Sequence, residues 1–120
     1  MPTSTAELKD RLAQADEIQI TVVGRKTGRK STRPVWFVLE GDTLYLLPVS
    51  GSDTEWYKNL LHDRRIWISV EGVEAQVEGT PVTDPKGVAS VVEKFRKKYG
   101  AEDVKKYYSK FDVAVIVKLD

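Results

Sequence analysis

Five cations, Arg25, Lys26, Arg29, Lys30 and Arg33, fall within the segment GRKTGRKSTRPVW from Gly24 to Trp36, and no acid lies among them. From Ile18 to Leu39 the chain has no Asp or Glu at all, although the net charge is only +1. The positive charge is therefore local, which suits a site for one phosphate or carboxylate group better than a general polyanion surface. Gly24 and Gly28 permit positive φ and let successive N–H groups converge on one point. Arg25 offers a planar fork and Lys26 a point charge, while Thr27 and Ser31 add hydroxyl donors. The same composition is also that of an ordinary solvated hairpin loop. The G-x-x-x-x-G-K-[ST] spacing of a phosphate-binding P-loop is absent.

A second stretch, PVSGSDTEWYKNL from Pro48 to Leu60, carries a Ser-Gly-Ser loop into a helix start. Unpaired N–H groups and the helix dipole would favour an anion or the carbonyl edge of a heterocycle there. Ser52 and Glu55 also fit a capping box, in which Ser52 would do nothing but cap. Trp56, Asn59 and Leu60 share one helix face. Trp56 is expected to pack in the core, and a buried Asn59 amide requires partners. His62 falls in the last turn of the same helix. As the sole histidine in a chain without cysteine, it argues against a multi-histidine metal site or a Ser-His-Asp triad, and the chain has no thiolate nucleophile or sulfur-ligated metal.

The elements that must hold these stretches follow from periodicity. Ser4 to Glu7 is a capping-box pattern opening a helix with Leu8, Leu12 and Ala15 on one stripe. EIQITVV alternates, with Ile18, Ile20 and Val22 on one face. PVWFVLE is continuously apolar, as for a strand covered on both sides, and turns at Gly41-Asp42 into TLYLLP. RIWISVEG and VEAQVEGTPV form a hairpin around Gly72, with Val73, Ala75 and Val77 facing away from Glu74, Gln76 and Glu78. Asp84-Pro85 starts a helix that carries Val88, Val91, Val92, Phe95 and Tyr99 and ends at Gly100. In it, EKFRKKYG reads as a solvated basic face. A short helix around Val104 to Tyr108 precedes a last strand, FDVAVIVKL.

The sum is a mainly β (α+β) domain over residues 1–120, with an N-terminal helix in 1–16 and six antiparallel strands with inserted helices in 17–120. Six short strands leave exposed edges unless the sheet closes, so a small barrel is the economical arrangement. A flat α+β sandwich is the alternative that periodicity leaves open. The composition, 41% hydrophobic and 31% charged, is that of a globular protein. No apolar run reaches the roughly 18 residues of a membrane span. With no signal-peptide pattern, a cytoplasmic protein is expected.

The segment from Thr21 to Gly72 resembles the deazaflavin-dependent nitroreductase family. It shows a Gly-Arg-Lys-Ser/Thr-Gly loop, a proline-led strand, a small-residue loop and a Trp-Tyr-x-Asn-Leu helix, in that order. The resemblance implies a split β-barrel of the flavin-reductase and pyridoxamine-phosphate-oxidase type. It implies coenzyme F420 as cofactor, whose phospholactyl-oligoglutamate tail is acidic, and two-electron reduction of an activated double bond, quinone or nitro acceptor. Carried over, Arg25, Lys26, Thr27 and Gly28 would hold the tail. Arg33, Pro34, Val49, Ser50 and Gly51 would border the ring, with Trp56 and Asn59 supporting that wall. Ser50 or Tyr108 would supply a proton. Tyr107 and Tyr108 precede the last strand at a spacing that departs from the family's acceptor-pocket tyrosines, so the acceptor does not carry over.

Three other readings stand beside this one. They are an FMN-binding split barrel, a non-catalytic protein that sequesters a cofactor or haem-like ligand, and a nucleic-acid module using the basic loop with Trp36 and Trp67. Near-zero net charge argues against the last. By analogy with split barrels, a homodimer is expected, with a strand edge and Trp67 as its contact.

Overall fold

The computed structural model describes residues 5–119, so the Ser4 part of the first capping pattern lies outside the described residues. Seven strands, β1 (Ile18–Val23), β2 (Lys30–Val35), β3 (Phe37–Glu40), β4 (Thr43–Leu46), β5 (Arg65–Val70), β6 (Val73–Val82) and β7 (Ala114–Lys118), join in the order β2-β1-β5-β6-β7-β4-β3. Every pairing is antiparallel. Four helices accompany them: α1 (Thr5–Ala13), α2 (Glu55–His62), α3 (Pro85–Tyr99) and α4 (Ala101–Tyr107).

Long β6 links two halves of the curled sheet. Its first six residues pair with β5, and Gly79 to Val82 pair with β7. At the changeover Gly79 is required by contact, since a Cβ there would lie 2.8 Å from Ile66 Cδ1 and 3.0 Å from Leu60 Cδ1. The β5–β6 hairpin turns through Glu71 and Gly72 with φ of 49° and 78°. Positive φ at both central residues is the backbone twist that matches paired strands.

The strand expected as one run, PVWFVLE, is two. Polar KSTRPV forms β2 against β1, and the chain breaks at Trp36 before β3. Charged residues and Pro34 are tolerated because β2 is an edge strand, where an N–H facing outward needs no partner. The count rises from six to seven, and the basic loop shortens to Gly24–Arg29. Because β2 and β3 are the two outer strands of the sheet, chain continuity through Trp36 brings one edge round to the other. The split barrel is closed by a covalent corner.

Two apolar clusters result. Inside lie Ile18, Ile20, Val22, Phe37, Leu44, Ile66 and Ile68, with Leu8 and Leu12 of α1 and Trp56, Tyr57 and Leu60 of α2. Outside, Val88, Val91, Val92 and Phe95 of α3 and Val104 of α4 pack on Val38, Leu47 and Ala114. The Asp84 carboxylate caps α3 by accepting from the Gly87 amide at 2.9 Å. Gly100 ends that helix with φ of 96°.

The exit of α2 is fixed by Asp63. Its Oδ1 accepts from the Arg65 amide at 3.1 Å and from Nε at 3.0 Å, and its Oδ2 accepts from Nη2 at 2.7 Å. The side-chain hydrogen bonds to Arg65 come first among the causes that lower this carboxyl from 3.8 to about 2. Its folded value lies below the unfolded one. The stabilisation is therefore present above the unfolded value and is lost as pH falls through about 2. An NMR titration of the Asp63 carboxyl should give a midpoint near that value, and Arg65→Ala should return it toward 3.8. A midpoint that Arg65→Ala leaves unmoved would remove Arg65 as the cause.

Candidate functional site

Two adjoining cavities open beside the Trp36 corner. The lower one, about 460 Å³, is lined by Arg33, Pro34, Val35, Val49, Ser50 and Trp56 together with Asp53, Thr54 and Glu55. The upper one, about 340 Å³, is lined by Pro34, Val35, Trp36, Leu47, Val49, Tyr107, Tyr108 and Glu17. Sharing Pro34, Val35 and Val49, they form one groove of the size that takes a cofactor ring or a small ligand. Of the residues singled out in the sequence, Arg33, Pro34, Val49, Ser50 and Trp56 meet at the lower cavity and Tyr108 at the upper.

Arg33 belongs to β2 opposite Ile20 of β1. Antiparallel partners share a face, so Arg33 lies on the barrel's inner side. It is exposed there because β2 is the outermost strand. Among the residues lining the lower cavity, Arg33 alone is cationic.

The Gly24–Arg29 turn lies next to this groove without lining it. The Arg25 amide and Nη1 donate to Asn59 Oδ1 at 3.1 and 2.8 Å, and Nη2 reaches Glu55 Oε1 at 3.3 Å. Asn59 thus has its partner, and Arg25 locks the turn to α2. The amides of Gly24, Gly28 and Arg29 also bond within the turn, the last to Thr27 Oγ1. Arg25 hydrogen bonding and charge hold the Glu55 carboxyl below its usual range, with a smaller contribution from Lys26. Lys26 is therefore within electrostatic reach of a residue that lines the cavity. Gly28, with φ of 75°, does need glycine.

The Ser50–Thr54 loop differs from its sequence expectation. Its five amides all have internal acceptors. Ser50 N donates to Thr54 Oγ1, Gly51 N to Pro48 O, Ser52 N to Asp112 Oδ1, Asp53 N to Ser50 O and Thr54 N to Gly51 O. Those five N–H groups are therefore taken, and the helix start that the sequence offers to an anion is the first turn of α2, which begins at Glu55 with no side-chain cap. Ser52 caps nothing, since Thr54 precedes α2 and the Ser52 hydroxyl donates to Asp112 Oδ2. Gly51 is buried against the Asp112 segment, where a Cβ would collide with Asp112 Oδ1. It supports the loop from behind and lines neither cavity. Lys110 completes the tie through Asp53 at 3.2 Å.

The upper cavity is aromatic. Trp36, expected in the core, is half-buried and stacks on Tyr99 at 4.2 Å and 9°. Tyr107 meets it edge-on at 5.5 Å, and Tyr108 is tilted at 6.0 Å. The Tyr99 hydroxyl accepts from the Phe37 amide at 3.1 Å and lies 2.7 Å from the Asp16 carbonyl, so it fastens the corner. Burial pushes its hydroxyl up to about 12. Lys98 donates to the Phe37 carbonyl at 2.8 Å. It thus fastens the corner from the exposed face expected of EKFRKKYG. Tyr108 is 5% exposed, and burial raises its hydroxyl too, so the phenol stays protonated. Glu17, Val35, Trp36 and Leu47 were not anticipated as lining residues. The one available signal was the change at Pro34 from the polar run KSTR to the apolar residues around Trp36.

His62 is exposed at the end of α2 and faces neither cavity. Among the described residues no group of His, Asp and Glu is arranged to hold a metal, and no helix is long and apolar enough to cross a membrane. Trp67 is half-buried beneath Lys30 at 4.0 Å and Arg65 at 5.5 Å.

No curated protein matches the sequence. Similar solved structures include an F420-H2 dependent reductase, FDR-A, at TM-score 0.66 and 15% identity, with 86% of this chain and 94% of that chain covered. HutZ, the heme storage protein of Vibrio cholerae, aligns at 0.68 and 15%, covering 98% and 90%. A Listeria innocua protein assigned as a pyridoxamine 5′-phosphate oxidase aligns at 0.69 and 15%, covering 94% and 90%. At these identities the likeness shows the split-barrel fold and nothing of the chemistry. The model of the family described as "Uncharacterized protein conserved in bacteria (DUF2255)" matches residues 7–119, and the chain belongs to that family.

Proposed function

We propose that the chain is an oxidoreductase that holds coenzyme F420 in the groove beside the Trp36 corner. Its acceptor would be an activated double bond, quinone or nitro compound. The observation that carries this reading is the groove itself. It is a cleft with proline, valine and tryptophan walls, Arg33 on its side and an exposed cationic turn next to it. A flat heterocycle with an acidic tail needs that pairing of apolar wall and flanking charge. Arg33, Pro34, Val49, Ser50 and Trp56 would hold the ring. Lys26 and Arg29, which make no ion pair with a described residue, would attract the tail. Arg25 and Asn59 would act by positioning that turn, since their hydrogen bonds face each other. When bound, the reduced deazaflavin supplies a hydride. The protein orients donor and acceptor and excludes water. The Tyr108 hydroxyl, which makes no hydrogen bond to a described residue, would donate one to a ligand in the upper cavity, and Ser50 would do the same below.

One observation favours FMN instead: a single cation lines the lower cavity, enough for one phosphate. Fluorescence titration with F420 and with FMN separates the two, followed by oxidation of reduced F420 with quinones, enones and nitroaromatics. F420 is expected to bind more tightly and to turn over. Tighter FMN binding would make this a flavoprotein. Binding of F420 without turnover on any acceptor would make it a carrier, and failure to bind either cofactor would end the proposal.

A further inference from the structure

The upper cavity has a chemistry of its own. Trp36 has one face against Tyr99, and its other neighbours, Tyr107 and Tyr108, stand at 78° and 49° to it. The rings pack on one another, and Trp36, Tyr107 and Tyr108 give the cavity an aromatic wall. Among its lining residues Glu17 alone is charged. Two nearby cations are already engaged with protein groups. Lys98 donates to the carbonyls of Phe37 and Ala15, and Lys106 lies over the Tyr107 ring at 5.4 Å. The Lys106 contact shows that this ring already hosts an ammonium.

From this geometry we infer that the upper cavity binds a small apolar organic cation, a quaternary or aromatic ammonium, between the Trp36, Tyr107 and Tyr108 rings and the Glu17 carboxylate. Ring faces carry the negative end of the aromatic quadrupole, so they attract a cation that sheds its water easily and give an anion nothing. The carboxylate adds direct charge attraction at the rim. Its field reaches the stack, because both Asp16 and Glu17 contribute to the raised Tyr99 hydroxyl. A neutral ring would gain apolar contact alone, and an anionic one would meet Glu17. That such a cation would be the hydride acceptor rests on the reductase reading. Its binding does not.

Calorimetric titration of the full chain with N-methylquinolinium, quinoline and 2-naphthoate, without cofactor, tests the inference above neutral pH. The three share a two-ring frame and differ in charge. N-methylquinolinium is expected to bind about tenfold or more tighter than quinoline, and naphthoate weakest. Glu17→Gln should shrink the cation's advantage to about threefold or less, and Trp36→Leu should weaken the cation more than the anion. Naphthoate binding as well as the cation, no binding of any probe, or an unchanged preference in Glu17→Gln would overturn it. An F420 titration on the same preparations keeps the two readings apart. Cation preference without F420 binding overturns the reductase reading alone. F420 binding without cation preference overturns this one alone.

Discussion

Trp56→Ala should lower the unfolding free energy by about 3–5 kcal/mol, the usual cost of removing a large aromatic side chain from a core. Trp56 is 4% exposed and packs in the inner cluster with Leu60 and Ile66, while one edge borders the lower cavity. Domains of this size are stable by about 5–15 kcal/mol, so the loss is a large fraction of the whole. Urea denaturation should show a lower midpoint with an unchanged slope, since the surface exposed on unfolding hardly alters. Because Trp56, Tyr57 and Leu60 are what hold α2 to the barrel, the variant should also loosen the Arg25–Asn59 contact and weaken ligand binding. A loss below about 1 kcal/mol would show that the indole is not packed as described.

Charge reversal is the second large effect. Arg33→Glu and Lys26→Glu should each weaken F420 binding by about tenfold or more, since a hydrogen bond to a charged group contributes about 1.5–3 kcal/mol. The losses should shrink as salt is added, because these side chains are exposed and screened. Lys97→Glu is the control. Lys97 is exposed on α3, away from the groove, and should change affinity little. Lys98 is unsuitable for that purpose, being bonded to the Phe37 carbonyl. Arg25→Ala should behave differently, releasing Asn59 and Glu55 together. Its effect on affinity should therefore persist at high salt. Equal losses from Lys97→Glu and Arg33→Glu would remove the cationic rim from the proposal.

Local sequence determined what depends on near neighbours. Ile18, Ile20 and Val22 alternate and are buried; Asp84 and Gly100 bracket α3; Gly72 turns the β5–β6 hairpin. Each is set by side-chain period or φ preference within a few residues, so a short window contains the whole cause. The barrel and several of the groove's lining residues were legible on the same basis, helped by the family resemblance. What the sequence left undecided is the partner of each polar group. Whether Ser52 caps α2 or binds Asp112 is settled 60 residues away, Arg25 finds Asn59 across 34, and Tyr99 reaches Phe37 across 62. The polar β2 strand forms against local propensity because β1 offers it a ladder and the edge tolerates its charges. Trp36 leaves the core because the barrel must turn a corner there. Hydrogen-bond donors pair with whichever acceptor the closed sheet brings near, and that choice exists only once the chain has folded.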